Sequence, residues 1–314
     1  MDHSETTLAV GGTRTTERHA FLYQLISFAV LCLLPTVFAW GLLNGLLKLI
    51  FEDETYTHIP LIPLVSAYLI FTKRKSIFEK TSYAWKAGSA VILCGVACLL
   101  LARLDVWELI PANQDSLVVL GFVLAWMGAF VLLFGTTAFR AAAFPLLFLL
   151  FMVPVPQPLL SQAIFLLQEG SSKAAEWNYR LMGVPFFRQG FDFALPGVTI
   201  RVAEECSGIR STLALLICTV LASHMFLRNS LNRILLCVVA IPIAIVKNGF
   251  RIASLSSLAA YVNPVFLTGP IHHKGGALFF LFALIPMALL LRFLQKSENK
   301  RLVNSKGLAV PSSA

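Results

Sequence analysis

"SLVVLGFVLAWMGAFVLLF", Ser116 to Phe134, runs nineteen residues without a charge or a proline. As a helix rising 1.5 Å per residue it would extend about 29 Å. That is close to the ~30 Å hydrocarbon thickness of a bilayer. The rest of the chain has the same character. Of its 314 residues, 57% are hydrophobic and only 13% carry a charge, whereas soluble domains are about a quarter charged. The sequence therefore describes an integral membrane protein.

Further apolar runs lie on both sides of that stretch. Candidate spans are Phe21–Ile50, Ile59–Thr72, Ala87–Ala102, Ser116–Phe134, Ala141–Val153, Gly208–Leu227, Ile234–Val246 and Gly275–Leu291. The expected fold is all-α and polytopic, with about eight transmembrane helices. The second, fifth and seventh runs are short. The first is too long for the apolar core of a signal peptide and has no cleavage-like tail, so it reads as a retained span. Residues 1–20 and 296–314 are polar and read as tails flanking a membrane domain over 21–295. No internal repeat is evident, which gives a transporter built on inverted repeats no support.

The net charge of +9 could point to nucleic acid, but the basic residues lie mostly between apolar runs. Lys and Arg cluster at Lys73–Lys75, Lys80 and Lys86, at Arg140, at Arg228 and Arg233, and from Arg292 onward, while the short loop "EDETYTH" has none. Under the positive-inside rule both termini then face the cytoplasm, and no nucleic-acid partner is expected. Five of the six cysteines, Cys32, Cys94, Cys98, Cys218 and Cys237, sit inside oily runs, where a thiol packs as a small hydrophobe. They form no paired framework.

The longest non-spanning stretch, Pro154 to Cys206, falls outside the cytoplasm in this topology. "LLSQAIFLLQEGSSKAAEWNYRLMG" has one apolar face at helical spacing and suits a helix lying on the membrane surface. In the Gly- and Pro-punctuated segment after it, "VTIRVA" alternates like a strand. A small extracytoplasmic extended or hairpin element is expected there, feeding Cys206 into the sixth span.

Three chemically loaded stretches then share the outer face: "VAEECSGIRST" at Val202–Thr212, "KNGFRI" at Lys247–Ile252 and "PIHHKGG" at Pro270–Gly276. Ionisable groups at such positions are costly and mark function. Taken singly, each is equally a snorkelling or satisfied core group. Ser207-Gly208 reads as a helix start, which would place Cys206 near unpaired N–H groups that favour a thiolate. Arg210 adds positive charge, while Glu204 and Glu205 oppose it unless they point away. A thiolate beside a histidine can attack an amide carbonyl, and a fixed guanidinium can stabilise the oxyanion that forms. Cys206, His272 and His273 could supply three metal ligands, but no CxxC or HExxH spacing supports a metal site. No metal and no cofactor is expected.

"VAEECSGIRS", "NGFRI" and "HHKGGALFF" resemble the three signature blocks of the exosortase/archaeosortase family of multi-pass membrane cysteine transpeptidases. The supporting pieces "YTHIPLIPLVSAYLIF", "FLLFMVPVPQPL" and "LMGVPFFRQG" extend the resemblance over about residues 20 to 295. The resemblance implies a nucleophile at Cys206, an Arg at Arg251 preceded by Asn248, and a His at His272, with adjacent His273 the second choice. A His in this block resembles the bacterial branch. Ala277 stands where the family often has an aromatic. Glu205, Ser207, Gly208, Arg210, Asn248 and His273 are the expected supporting residues.

The implied substrates are exported proteins with a C-terminal Pro-Glu-Pro-type (PEP-CTERM) motif, a transmembrane helix and a basic tail. They would be cleaved through an acyl-thioester and passed to a membrane lipid or other surface acceptor. The implied location is the bacterial cytoplasmic (inner) membrane, with the active site on its extracytoplasmic face. The competing reading is a transporter or assembly protein for exopolysaccharide or lipid, in which the same polar cluster binds a phosphate or sugar. His58 in "YTHIP" lines a substrate entrance or sits at the interface.

Overall fold

The computed structural model describes residues 4–38, 54–104, 111–268 and 276–307. Residues 39–50 of the expected first span and the histidines His272 and His273 lie outside the described residues. Two compact units divide the chain after Gln157.

The first unit comprises α1 (Ser4–Phe38), α2 (Leu61–Thr72), the single turn α3 (Arg74–Ile77), α4 (Trp85–Arg103), α5 (Pro111–Ala141) and α6 (Ala143–Phe148). The stretch Ser116–Phe134 lies within α5, the most buried of the candidate spans. Hydrophobicity alone does not pair helices in lipid, so close backbone approach through small residues has to do it. Helices α4 and α5 meet this way. A Cβ on Gly95 would lie 2.8 Å from the Gly121 carbonyl oxygen, and one on Gly128 would lie 2.7 Å from the Ile92 nitrogen. Helix α5 breaks at Gly135, where φ is 87°. The incoming chain fills the break: Ser82 N–H donates to Phe134 O and Ala84 N–H to Leu132 O. Phe21, Phe28, Phe78, Phe130 and Phe134 form an aromatic cluster beside it.

The expected fifth span, Ala141–Val153, is not one continuous helix. It is α6 followed by a 3-10 segment, Leu149–Met152. Ten helical residues reach only about 15 Å, half the hydrocarbon thickness. Pro154 and Pro156 then interrupt it before α7 (Gln157–Met182) begins.

The second unit is built on α7, whose buried residues Leu160, Leu167, Gln168, Ser171, Ser172, Ala175 and Tyr179 recur on one face. A three-stranded antiparallel meander follows: β1 (Phe187–Gln189), β2 (Asp192–Leu195) and β3 (Val198–Arg201). The expected element was an extended piece or single hairpin. A third strand forms because Gly190 and Gly197, at φ 60° and 78°, supply two tight turns where a glycine is favoured. Phe193 and Leu195 pack with Tyr179, Ala175, Val202 and Ala253 in one core. Arg188 on β1 bridges Glu169 and Glu176 of α7 at 3.3 and 2.9 Å.

Helices α8 (Ile209–Phe226), α9 (Ser230–Tyr261), the single turn α10 (Val265–Thr268) and α11 (Gly276–Gly307) complete the unit. Helix α9 has 32 residues, about 48 Å of helix. The expected seventh span, Ile234–Val246, is thus only its first half. The sequence "KNGFRI" lies in the interior of α9 and not at its end, because nothing in that polar run breaks a helix. Leu231, Ile234, Val238 and Ile241 form an exposed apolar stripe on α9, while Leu236, Ala240 and Ala244 face the core. Such a stripe suits contact with lipid.

Among the described residues, five helices are long and apolar enough to cross a membrane: Trp85–Arg103, Asn113–Ala141, Glu204–Phe226, Ser230–Tyr261 and Gly276–Arg301. There are six if the broken pair Ala143–Met152 and Gln157–Met182 counts as one span. Phe21–Val37 and Leu61–Thr72 are shorter apolar helices. The chain is a polytopic membrane protein, and its described residues hold fewer qualifying helices than the eight expected.

Candidate active site

Strand β3 ends at Arg201 and leads into a 3-10 turn, Glu204–Ser207. Cys206 lies in this turn, with its N–H donated to Ala203 O at 3.0 Å. Gly208, at φ 81°, reverses the chain and caps α8, which starts at Ile209. The helix start expected at Ser207-Gly208 is therefore present. The thiol sits one turn ahead of it, and the Cys206 N–H is already used inside the turn. Side chains pair with the backbone around the start. Ser207 Oγ accepts the Ile209 N–H at 3.4 Å, while Ser211 Oγ and Thr212 Oγ1 donate to Gly208 O at 3.0 and 2.8 Å. Glu204, Glu205 and Arg210 are exposed, and Ser207 and Gly208 are buried.

Helix α9 brings three polar side chains to this region, Asn248, Lys247 and Arg251. Asn248, 1% exposed, donates Nδ2 to Cys206 O at 2.8 Å and to Ser171 Oγ at 3.0 Å. Lys247 is buried and donates Nζ to Ser211 Oγ in the first turn of α8. Arg251, one turn further along α9, is half-buried. Arg251 and Cys206 line one cleft with Ile200, Val202, Ile252 and Leu255. The cleft measures about 50 Å³. A larger cavity of about 560 Å³ is lined by Lys247, Val246, Phe250, Phe279 and Phe282.

The structure thus brings together Cys206, Ser207, Gly208, Asn248 and Arg251 from the sequence-derived set, and leaves Glu205 and Arg210 at the exposed margin. Lys247, Ser211, Ser171 and Gln168 were not singled out. Lys247 stood in a quoted motif. Ser171 and Gln168 could have been noticed only as polar residues on the apolar face of α7. Gln168 Nε2 donates to Val202 O at 2.9 Å. His58 belongs to the first unit. It is half-buried, and its Nδ1 lies 3.2 Å from Thr55 O. Burial pushes this imidazole below its usual range, against the opposing pull of the Phe151 and Thr55 main-chain bonds.

The chain is an apolar multi-helix membrane protein in which a thiol and a guanidinium share a small half-buried cleft. The family follows from the whole sequence: residues 50–289 match the family described as Transmembrane exosortase (Exosortase_EpsH), and the chain belongs to that family. The family is broadly one of transpeptidases and proteases. No curated protein and no solved structure gave a significant match.

Proposed function

We propose that this chain is a membrane-embedded cysteine transpeptidase that cleaves C-terminal sorting signals of the PEP-CTERM type from exported proteins and passes the new carboxyl end to an acceptor at the outer surface. The observation that carries the reading is the shared cleft of Cys206 and Arg251 in a chain of this family. In the proposed reaction, Cys206 Sγ attacks the scissile carbonyl and its proton passes to His272. Arg251 donates to the oxyanion of the tetrahedral intermediate. The C–N bond then breaks, the leaving amine takes the proton from His272, and an acyl-thioester remains. An acceptor amine or hydroxyl attacks that thioester and gives its proton to His272; the new bond forms, the C–S bond breaks, and the departing Cys206 sulfur takes the proton back from His272. The site lies at the extracytoplasmic face of the cytoplasmic membrane in this reading, with both termini inside and about eight spans. The role of His272, and His273 as its alternative, rests on the sequence alone.

The experiment is to co-express the chain with a reporter ending in Pro-Glu-Pro, an apolar helix and a basic tail, then quench in acid. A hydroxylamine-labile adduct on Cys206 and a shortened reporter are the expected results. Normal shortening of the reporter by Cys206→Ala would rule out thiol catalysis.

A further inference from the structure

The nucleophile turn is held from behind by α7. Ser171 is fully buried and accepts one N–H of the Asn248 amide at 3.0 Å, while the same Nδ2 donates to Cys206 O at 2.8 Å. An Asn amide has two N–H donors, so these two bonds use both. Rotating the amide by half a turn would set Oδ1 against the Cys206 carbonyl, acceptor facing acceptor. The Cys206 carbonyl therefore fixes which way the Asn248 amide faces, and Ser171 anchors that amide to α7 through its second N–H. Three residues earlier, on the same face of α7, Gln168 Nε2 donates to Val202 O at 2.9 Å. The segment Val202–Cys206 is thus tied to α7 near both ends, once directly and once through Asn248.

The backbone allows this reach because α7 and α9 approach closely. A Cβ on Gly249 would lie 2.8 Å from the Ala174 carbonyl carbon and the Ala175 nitrogen. Tyr179 and Ser256 make a second polar tie between the same helices at 2.6 Å. The peptide group is planar. Holding the Cys206 carbonyl therefore restrains that peptide plane, which contains the Cys206 Cα from which the side chain departs. A misplacement of about 1 Å at a reacting group can cost roughly a hundred-fold in rate.

We infer that Ser171 and Gln168 of α7 are positioning residues for the Cys206 nucleophile, acting through Asn248 and through the Val202 carbonyl. This rests on the reading of Cys206 as the nucleophile. Neighbouring Ser172 supplies the control. It is equally buried, and its Oγ has no hydrogen-bond partner among the described residues.

The test uses the full chain in native membrane vesicles, with Cys32, Cys94, Cys98, Cys218 and Cys237 changed to Ala. Two quantities are measured: iodoacetamide alkylation of Cys206 from pH 6 to 10, normalised to the total thiol labelled in detergent, and cleavage of the Pro-Glu-Pro reporter. Ser171→Ala should lower kcat roughly ten-fold, the worth of one buried hydrogen bond, with KM unchanged and the alkylation profile displaced along the pH axis. Gln168→Ala should act in the same direction. Ser171→Thr should restore both readings, and Ser172→Ala should change neither. In an Asn248→Ala background, Ser171→Ala should add less than about two-fold, because the two act on one bond. If Cys206→Ala is inactive while Ser171→Ala matches Ser172→Ala in both readings, the positioning role is overturned and the nucleophile stands. If Cys206→Ala still cleaves the reporter, the nucleophile assignment fails and the positioning role fails with it.

Discussion

A Cβ added to Gly208 would stand 2.8 Å from Cγ of Asn248. The turn that carries Cys206 and the helix that carries Arg251 therefore fit together only while position 208 has no side chain. Gly208 also sits at φ 81°, a region that L-residues enter only with strain. The same Asn248 holds the Cys206 carbonyl at 2.8 Å, forty-two residues away in sequence.

Gly208→Ala should accordingly destabilise the chain by about 1–3 kcal/mol from backbone strain, with a further cost from the clash. Thermal unfolding in detergent measures it. In an Asn248→Ala background the clash is removed and only the strain remains, so the penalty of Gly208→Ala should be smaller there. Equal penalties in both backgrounds would show that Asn248 is not what position 208 is fitted to.

Arg251→Lys should not rescue the reaction. Lysine brings a flexible point charge without the planar fork of five donors. Loss of one oxyanion donor costs about 10²–10³ in rate. Single-turnover cleavage of the reporter is the measurement, and near-normal turnover in Arg251→Lys or Arg251→Ala would leave Arg251 a structural or headgroup-binding residue.

His272 and His273 are adjacent, so a regular helix or strand cannot aim both at one sulfur. His272, four residues before Gly276, is expected to be the active one, and His273→Ala should retain cleavage at matched expression. A dead His273→Ala beside an active His272→Ala would reverse the order. Activity in both single variants would remove histidine and leave Cys206 with Arg251.

Epitope tags at both termini should be protected in sealed spheroplasts, while Cys206 should be labelled by a charged thiol reagent added from outside. The basis is the excess of Lys and Arg in the short loops on one side. Removal of the C-terminal tag by external protease would invert the topology and place the site in the cytoplasm.

Composition and periodicity were enough to define this chain as a many-helix membrane protein, because a ~20-residue apolar run has few other stable environments. Ser116–Phe134 is helical within α5 as its composition requires. Cys206, Asn248 and Arg251 stood out in the sequence as polar residues in a membrane chain, and their grouping as one candidate site came from the resemblance of their blocks to one family. Where helices begin, break and continue was much less legible. The interior position of Lys247–Ile252 in a 32-residue helix, the division of Ala141–Val153 into two short pieces and the third strand of the meander depend on packing partners and turns that local hydropathy does not encode.

The pairing of Cys206 with Arg251 in one cleft, the Asn248 bridge from Ser171 to the Cys206 carbonyl and the Gln168 bond to Val202 were decided by tertiary structure alone. Each joins groups more than thirty residues apart. A hydrogen bond between such groups exists only once close helix contacts, such as that at Gly249, have brought the backbones together. Sequence determined which polar groups had to be buried in this membrane protein; only the folded chain decided which of them satisfy one another, because a buried donor must find its acceptor in space and not along the chain.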